Sequence, residues 1–207
     1  MNASTAHPAI GRAGSPPWTT AKAMANWISL ILAPPFCALL GVVLAAGQFE
    51  EPNLWLAAAR YASLAVLAPT AYVAYLFRRR RIEDLHTNRR RERIKPLAVT
   101  LAGSVAGPAL VAGCGLPGLF VAVATAQAAQ TALFLVVTTR WKISAHGVAA
   151  ADLAVLVWRL FGGAALPLLI WLPTVTWARI RLQRHTPSQV GAGAALGAAV
   201  WGFYLFT

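Results

Sequence analysis

Two histidines in this sequence lie in short basic segments, and each segment leads into an apolar stretch. His146 occurs in WKISAHG, and His185 occurs in ARIRLQRHTPSQV. An imidazole among cations suits phosphate chemistry, because phosphoryl transfer needs a nucleophile, an acid for the leaving oxygen and positive charge around the phosphate. A helix N-terminus adds backbone N–H groups and a favourable dipole for the anion. The two segments therefore predict a phosphate site.

The elements that would carry these segments are apolar enough to require lipid around them. Of the 207 residues, 58% are hydrophobic and 12% are charged, a balance far from that of an ordinary soluble domain. A membrane-spanning helix needs about 20 mostly apolar residues. We predict an all-α, polytopic transmembrane helical bundle of about seven spans, with six to eight as the range. The predicted spans are residues 23–47, 53–77, 97–113, 117–139, 144–160, 163–178 and 186–206.

The start of the chain differs in composition from the rest. Its first twenty residues are rich in Pro, Gly, Ser and Thr, and we predict a mobile cytoplasmic tail over residues 1–22. The apolar stretch that follows is longer than the ~7–15 residues of a cleaved signal peptide, so we expect it to be retained as an anchor. Residues 23–207 then form a single transmembrane domain.

Lys and Arg are distributed unevenly among the predicted loops. The basic groups of residues 78–96, 140–142 and 179–184 fall on one face if spans three and four, and five and six, are hairpins. The opposite loops carry Glu50 and Glu51 but no Lys or Arg. Cytoplasmic loops are enriched in Lys and Arg. We therefore predict an inner (plasma) membrane protein with its N-terminus and phosphate site in the cytoplasm, and interpret the net charge of +12 as sidedness, not nucleic-acid binding.

The remaining charges of the long basic loop favour ordinary membrane roles. Arg78 to Arg81 directly follow a predicted span, where such residues stop translocation and bind anionic lipid headgroups. Asp84 and His86 supply two metal ligands, which are too few for a site, so we interpret them as a loop ion pair. We expect no metal and no cofactor.

The basic segments resemble two of the three dispersed motifs of the type 2 phosphatidic acid phosphatases, PSGH and SRxxxxxHxxxD. For the SRxxxxxHxxxD motif, Arg179 is followed six residues later by His185 and four residues after that by Gln189. For the PSGH motif, the chain keeps Ser144 and His146 but lacks the Pro and the Gly. The resemblance depends on the order and spacing of these two motifs.

The other motif of that family, KxxxxxxRP, is degenerate in this sequence. Lys95-Pro96 stands in place of Arg-Pro, and Asn88 stands where the spacing expects Lys. Arg89 and Arg93 are then the expected phosphate ligands of this segment. With it, the resemblance extends over roughly residues 84–200.

The resemblance implies a metal-independent phosphatase in a bundle like that of the family. His185 would be the nucleophile that forms a phosphohistidine, and His146 would protonate the leaving oxygen. The residues expected to hold the phosphate are Arg89, Arg93, Lys142, Ser144 and Arg179. The family gives Lys142 no role, and we include it for its position in the sequence. A cation cluster of this kind neutralises the phosphate oxygens during phosphoryl transfer.

Gln189 is the main departure from the family, which uses Asp there to orient the nucleophilic histidine. The Gln carbonyl can accept the imidazole N–H and fix the tautomer, but it cannot stabilise an imidazolium as a carboxylate would. Three explanations stay open, ranked in this order. The enzyme works with the weaker orienter, Asp152 or Asp84 supplies the charge, or catalysis is lost.

The sequence thus predicts hydrolysis of a membrane lipid phosphate, either a polyprenyl (di)phosphate or a phospholipid phosphate. Two alternatives remain, a non-catalytic lipid-phosphate binder or carrier and a lipid head-group phosphotransferase that would use the same residues. A membrane prenyltransferase would need aspartate-rich magnesium motifs, and the six acidic residues are not arranged in that way.

The predicted orientation can be tested by cysteine labelling in a variant that lacks Cys37 and Cys114. We expect Arg140→Cys and Ser188→Cys to react with an impermeant maleimide only after the cells are opened, because both positions are predicted to be cytoplasmic. Gln48→Cys, in the opposite loop, should react in intact cells and serves as the control. Labelling of position 140 or 188 from outside would overturn the orientation.

Overall fold

The computed structural model describes residues 20–82, 90–112 and 117–207, and these residues contain helices and turns but no strand. The all-α prediction is confirmed for this part of the chain. The described helices are α1 (Thr20–Ile31), α2 (Pro34–Ala46), α3 (Pro52–Ala62), α4 (Ala68–Arg78), α5 (Arg90–Ala112), α6 (Gly118–Arg140), α7 (Ala145–Phe161), α8 (Trp171–Arg181) and α9 (Pro187–Phe206). A π-helical segment, Ser63–Leu67, joins α3 to α4, and a 3-10 segment, Gly162–Ile170, joins α7 to α8.

Several described helical stretches are long and apolar enough to cross a membrane. Four satisfy this by length and composition: Asn53–Arg78, Gly118–Arg140, Ala145–Arg181 and Pro187–Phe206. A fifth is reached only if α1 and α2, which are bent by 45°, are taken as one span. The described helices therefore support a membrane protein with four or five candidate spans, and they do not confirm the count of about seven. Of the predicted tail, residues 1–19 lie outside the described residues.

The bend between α1 and α2 has a local cause. Pro34 and Pro35 open α2, and proline has no backbone N–H to continue the hydrogen-bond ladder of a preceding helix. The residue before a proline is also biased away from the helical region, and Ala33 has an extended backbone with ψ 147°. Residues 23–47, predicted as one span, therefore contain two helices, and they count as one candidate span only if the bent pair is taken together.

The stretch from α7 to α8 reverses direction and does not form one straight rod. The indole Nε1 of Trp171 donates a hydrogen bond to the carbonyl of Ala150 at 3.0 Å. In a straight helix these two residues would be about 30 Å apart. The turn follows α7 at Gly162, whose φ of +54° and ψ of −135° are readily adopted only by glycine. α7 and α8 thus form a hairpin, which is the arrangement assumed above for spans five and six.

α7 and α9 pack closely and run in the same direction. A Cβ added to Gly193 would lie 2.5 Å from the carbonyl oxygen of Ser144, and one added to Gly197 would lie 2.7 Å from that of Val148. Because the contact advances along both helices together, both begin at the same end of the bundle. α8, which is antiparallel to α7, ends there as well.

The outer surface of the bundle is apolar. Large hydrophobic side chains are exposed on most of the helices, including Trp27, Leu56, Val136, Ile170 and Phe203. The buried core between the helices consists largely of alanine and valine, together with Tyr61 and Phe120, whose rings meet edge to face. A surface of this kind is expected where lipid is the solvent.

The requirement for glycine at position 162, in the α7–α8 turn, can be tested by substitution. We expect Gly162→Ala to lower the free energy of unfolding by about 1–3 kcal/mol, because a side chain there is strained at positive φ. Gly163→Ala is the matched control, since no described atom lies within 4 Å of its added Cβ. Unfolding of both purified variants in detergent measures the difference, and equal stability would contradict the strained turn.

Candidate active site

One cavity brings the predicted histidines together. It has a volume of about 490 Å³ and is lined by residues of α2, α4, α6 and α7, among others. His146, Arg179 and His185 line it where α7 and α9 begin and α8 ends. The close packing of α7 on α9 and the reversal at Gly162 account for this convergence, because they place three distant chain segments at one end of the bundle.

The His185 ring is held in a defined orientation. Its Nδ1 lies 3.2 Å from Oε1 of Gln189, and since a carbonyl oxygen accepts hydrogen bonds, Nδ1 is the nitrogen that carries the proton. Nε2 then keeps its lone pair, which is the tautomer that a nucleophilic imidazole requires. The contact between Gln189 and the imidazole is therefore present in the structure, and the role of His185 as a nucleophile stays a prediction.

Gln189 also starts α9. Its Oε1 accepts the backbone N–H of Thr186 at 3.2 Å, while the Thr186 hydroxyl accepts the backbone N–H of Gln189 at 3.3 Å. This reciprocal pair is a capping box, and Pro187 occupies the first helical turn. One oxygen atom therefore satisfies the helix terminus and orients the imidazole.

Ser144 performs the corresponding task for α7. Its hydroxyl accepts the backbone N–H of Gly147 at 3.2 Å, and its own N–H donates to the backbone carbonyl of Gln189 at 3.0 Å. The side chain is fully buried and is not among the described residues that line the cavity. Ser144 thus joins the starts of the two helices, and its predicted contact with phosphate stays a prediction.

His146 contacts the first helix. Its Nε2 lies 3.0 Å from the backbone carbonyl of Ser29 in α1, so this nitrogen is the donor. The ring is buried and lines the cavity. A neutral His146 therefore carries its proton on Nε2 and its lone pair on Nδ1, and the contact with Ser29 fixes the plane of the ring.

Arg179 and Lys142 differ in their surroundings. Arg179 is buried and lines the cavity between the histidine-bearing segments. Lys142 donates from Nζ to the backbone carbonyl of Arg184 at 3.1 Å, and Arg184 donates its N–H to the carbonyl of Arg179. Lys142 thus ties the loop before α7 to the loop before α9, and it is not among the described residues that line the cavity.

The structure does not place the ligands predicted from the first motif. Arg89, Asp84, His86 and Asn88 lie outside the described residues, and Arg93 lies in α5 without a described side chain. Leu97 and Thr100 of α5 line the cavity, so this helix does run beside it. The predicted roles of Arg89 and Arg93 stay predictions.

Sequence reasoning missed the partner of Asp152. The Asp152 Oδ1 atom accepts a hydrogen bond from Nε2 of Gln130 at 2.7 Å, and both side chains are buried and line the cavity. Asp152 was one of the two carboxylates that could supply the charge that Gln189 lacks, and its described hydrogen bond comes from this amide. The signal was the presence of Gln127 and Gln130 in an otherwise apolar span. Among the described residues, no group of three His, Cys, Asp or Glu side chains is arranged to hold a metal ion.

Comparisons of the chain with models of protein families, with curated proteins and with solved structures found no match. The resemblance to the phosphatase motifs therefore depends on the residues of this sequence alone. The geometry of the cavity is an independent observation, because it comes from the packing of the helices and not from the motif letters.

The double role of Gln189 predicts a measurable loss of stability. We expect Gln189→Leu to lower the free energy of unfolding by about 0.5–2 kcal/mol, because it removes one half of the capping box. Gln189→Glu, which retains an acceptor at the same position, is the control and should unfold like the unmodified protein. Unfolding in detergent provides the measurement, and unchanged stability of the Leu variant would contradict the capping role.

Proposed function

We propose that this chain is a lipid-phosphate phosphatase of the inner (plasma) membrane that acts through a phosphohistidine on His185. The observation that carries the proposal is that His146, Arg179 and His185 line one cavity. A guanidinium at the cavity wall suits a phosphate, because its N–H groups match the geometry of phosphate oxygens. Two imidazoles beside it supply the nucleophile and the acid that a phosphoester requires.

The proposed reaction has two steps. In the first, Nε2 of His185 attacks phosphorus, an N–P bond forms, and the bond to the leaving alkoxide breaks while a protonated His146 gives the proton on its Nδ1 to that oxygen. In the second, water attacks phosphorus and gives a proton to Nδ1 of His146, the N–P bond breaks, and inorganic phosphate leaves. Arg179 neutralises the phosphate oxygens in both steps, and Gln189 keeps the proton of His185 on Nδ1. Neither step uses a metal.

A lipid substrate fits the remaining walls of the cavity. They are formed mainly by small apolar side chains from several helices, including Cys37, Ala38, Val73, Ala74 and Leu153. A volume of about 490 Å³ is in the range of small-molecule sites, which accommodate a headgroup and the first part of a chain. A phosphate at the histidines with its tail along these walls would not need to leave the bilayer.

The proposal includes a finer topology. The α1–α2 pair, the α3–α4 pair, α5, α6, α7, α8 with its preceding 3-10 segment, and α9 would each cross the membrane once, in a bundle of the phosphatase type. The histidine end would then face the cytoplasm, in agreement with the basic loops.

A non-catalytic lipid-phosphate binder or carrier is the second candidate. The neutral side chain of Gln189 favours it, because an amide cannot stabilise the imidazolium that a carboxylate would. The hydrogen bond from His146 to Ser29 favours it as well, since the Nε2 proton is engaged by backbone. Transfer of the phosphoryl group to another alcohol would use the same residues as hydrolysis.

The test is phosphate release by the purified protein in detergent from a panel of lipid phosphates. The panel contains polyprenyl phosphate, polyprenyl diphosphate, phosphatidic acid and phosphatidylglycerophosphate. We expect His185→Ala to reduce kcat by at least ~10³-fold and His146→Ala by about 10²–10⁴-fold, because they remove the nucleophile and the acid. Arg181→Ala is the matched control, since this exposed arginine lies two residues from buried Arg179.

An acid-labile phosphoryl label on the unmodified protein, lost in His185→Ala, would identify the intermediate. Equal release by the unmodified and His185→Ala proteins would overturn the phosphohistidine mechanism. If neither protein releases phosphate from any lipid while both bind the lipids, the carrier replaces the enzyme.

A further inference from the structure

The cavity contains a second polar region away from the histidines. Gln130 of α6, Asp152 of α7 and Trp201 of α9 all line it, and all three side chains are more than nine-tenths buried. The side-chain nitrogen of Gln130 donates to Asp152, and Oε1 of Gln130 remains as an acceptor. This oxygen and the indole Nε1 of Trp201 are both buried and have no hydrogen-bond partner within the described part of the chain.

An unsatisfied acceptor and an unsatisfied donor on two residues that line the same cavity are unusual. Buried polar groups in folded proteins are nearly always hydrogen-bonded, and those that are not call for a ligand, a water or a functional explanation. The packing here is specific, because α9 approaches the Asp152 carboxyl where Gly197 has no side chain, and an added Cβ would lie 2.6 Å from Oδ1. Trp201 follows Gly197 by one helical turn.

The position of Asp152 along α7 shows how far this polar region lies from the histidines. Asp152 follows His146 by six residues of α7, which corresponds to about 9 Å along the helix axis. A group bound beside Gln130 and Trp201 would therefore belong to the part of a lipid next to its headgroup when the phosphate lies at the histidines, and not to the end of its tail.

We infer that this region recognises a hydroxyl or an amide of the substrate close to its phosphate. A hydroxyl can donate to Gln130 Oε1 and accept from Trp201 Nε1, and a secondary amide can do the same with its N–H and C=O. The inference rests on the proposed function and narrows it. The substrates are lipid phosphates with a free hydroxyl or amide beside the headgroup, in preference to polyprenyl phosphates, whose chains have neither.

The experiment compares two lipids that differ by one oxygen. These are 1-oleoyl-glycerol 3-phosphate, which has a free hydroxyl at carbon 2, and its 2-deoxy analogue, with polyprenyl phosphate as a third substrate. We expect kcat/KM to be at least about tenfold higher for the hydroxyl lipid, because the analogue leaves both buried groups unpaired. Trp201→Phe should reduce this ratio toward one by slowing the hydroxyl lipid and not the deoxy lipid.

Control variants separate recognition from folding. Trp158→Phe changes an exposed tryptophan that is not among the described cavity-lining residues, and it should keep the ratio of the unmodified protein. Gln130→Met removes the amide at similar length and should lower the ratio as Trp201→Phe does, which gives a second variant if one of them folds poorly.

The outcomes distinguish the two proposals. Release from both lipids at equal rates by the unmodified protein would overturn the recognition site, leave the phosphatase intact and indicate that the cavity holds water there. A ratio that persists in both Trp201→Phe and Gln130→Met would also overturn it. Release from none of the three lipids would contradict the phosphatase itself.

Discussion

The parallel packing of α7 on α9 is the constraint on which the candidate site depends. The helices approach so closely that a methyl group at Gly193 or Gly197 would overlap backbone of α7. Their starts are further joined by the hydrogen bond from Ser144 to Gln189. Since His146 lies in the first turn of one helix and His185 just before the other, the distance between the imidazoles is set by backbone contact. Flexible side chains or a metal are not needed for this.

The cavity combines a cationic end with apolar walls, and the two properties reinforce each other. Excluding water from Arg179 strengthens its interaction with an anion, because charge interactions grow as the local dielectric constant falls. The same exclusion makes the apolar walls favourable for a hydrocarbon chain. A free phosphate would gain only the first of these interactions, and an uncharged lipid only the second. A molecule that carries both parts fits the whole space.

Some of this architecture could be predicted from the sequence because it depends on charge and on helix direction. The basic loops and the apolar spans implied that His146 and His185 lie on the same face of the bundle, because a helical hairpin returns the chain to the face where it began. The break at Pro34, the capping role of Ser144 and the bond between Gln130 and Asp152 could not be predicted. They depend on which helices become neighbours, and apolar periodicity carries no information about that when lipid surrounds the bundle.

The shared oxygen of Gln189 has an evolutionary consequence. The capping box makes this residue part of the start of α9, so selection for a folded bundle alone would retain a hydrogen-bond acceptor at this position. If the proposed activity were lost, such an acceptor would still lie beside His185 and would still fix the same tautomer. The residue at position 189 would then not reveal whether a related protein still turns over a substrate.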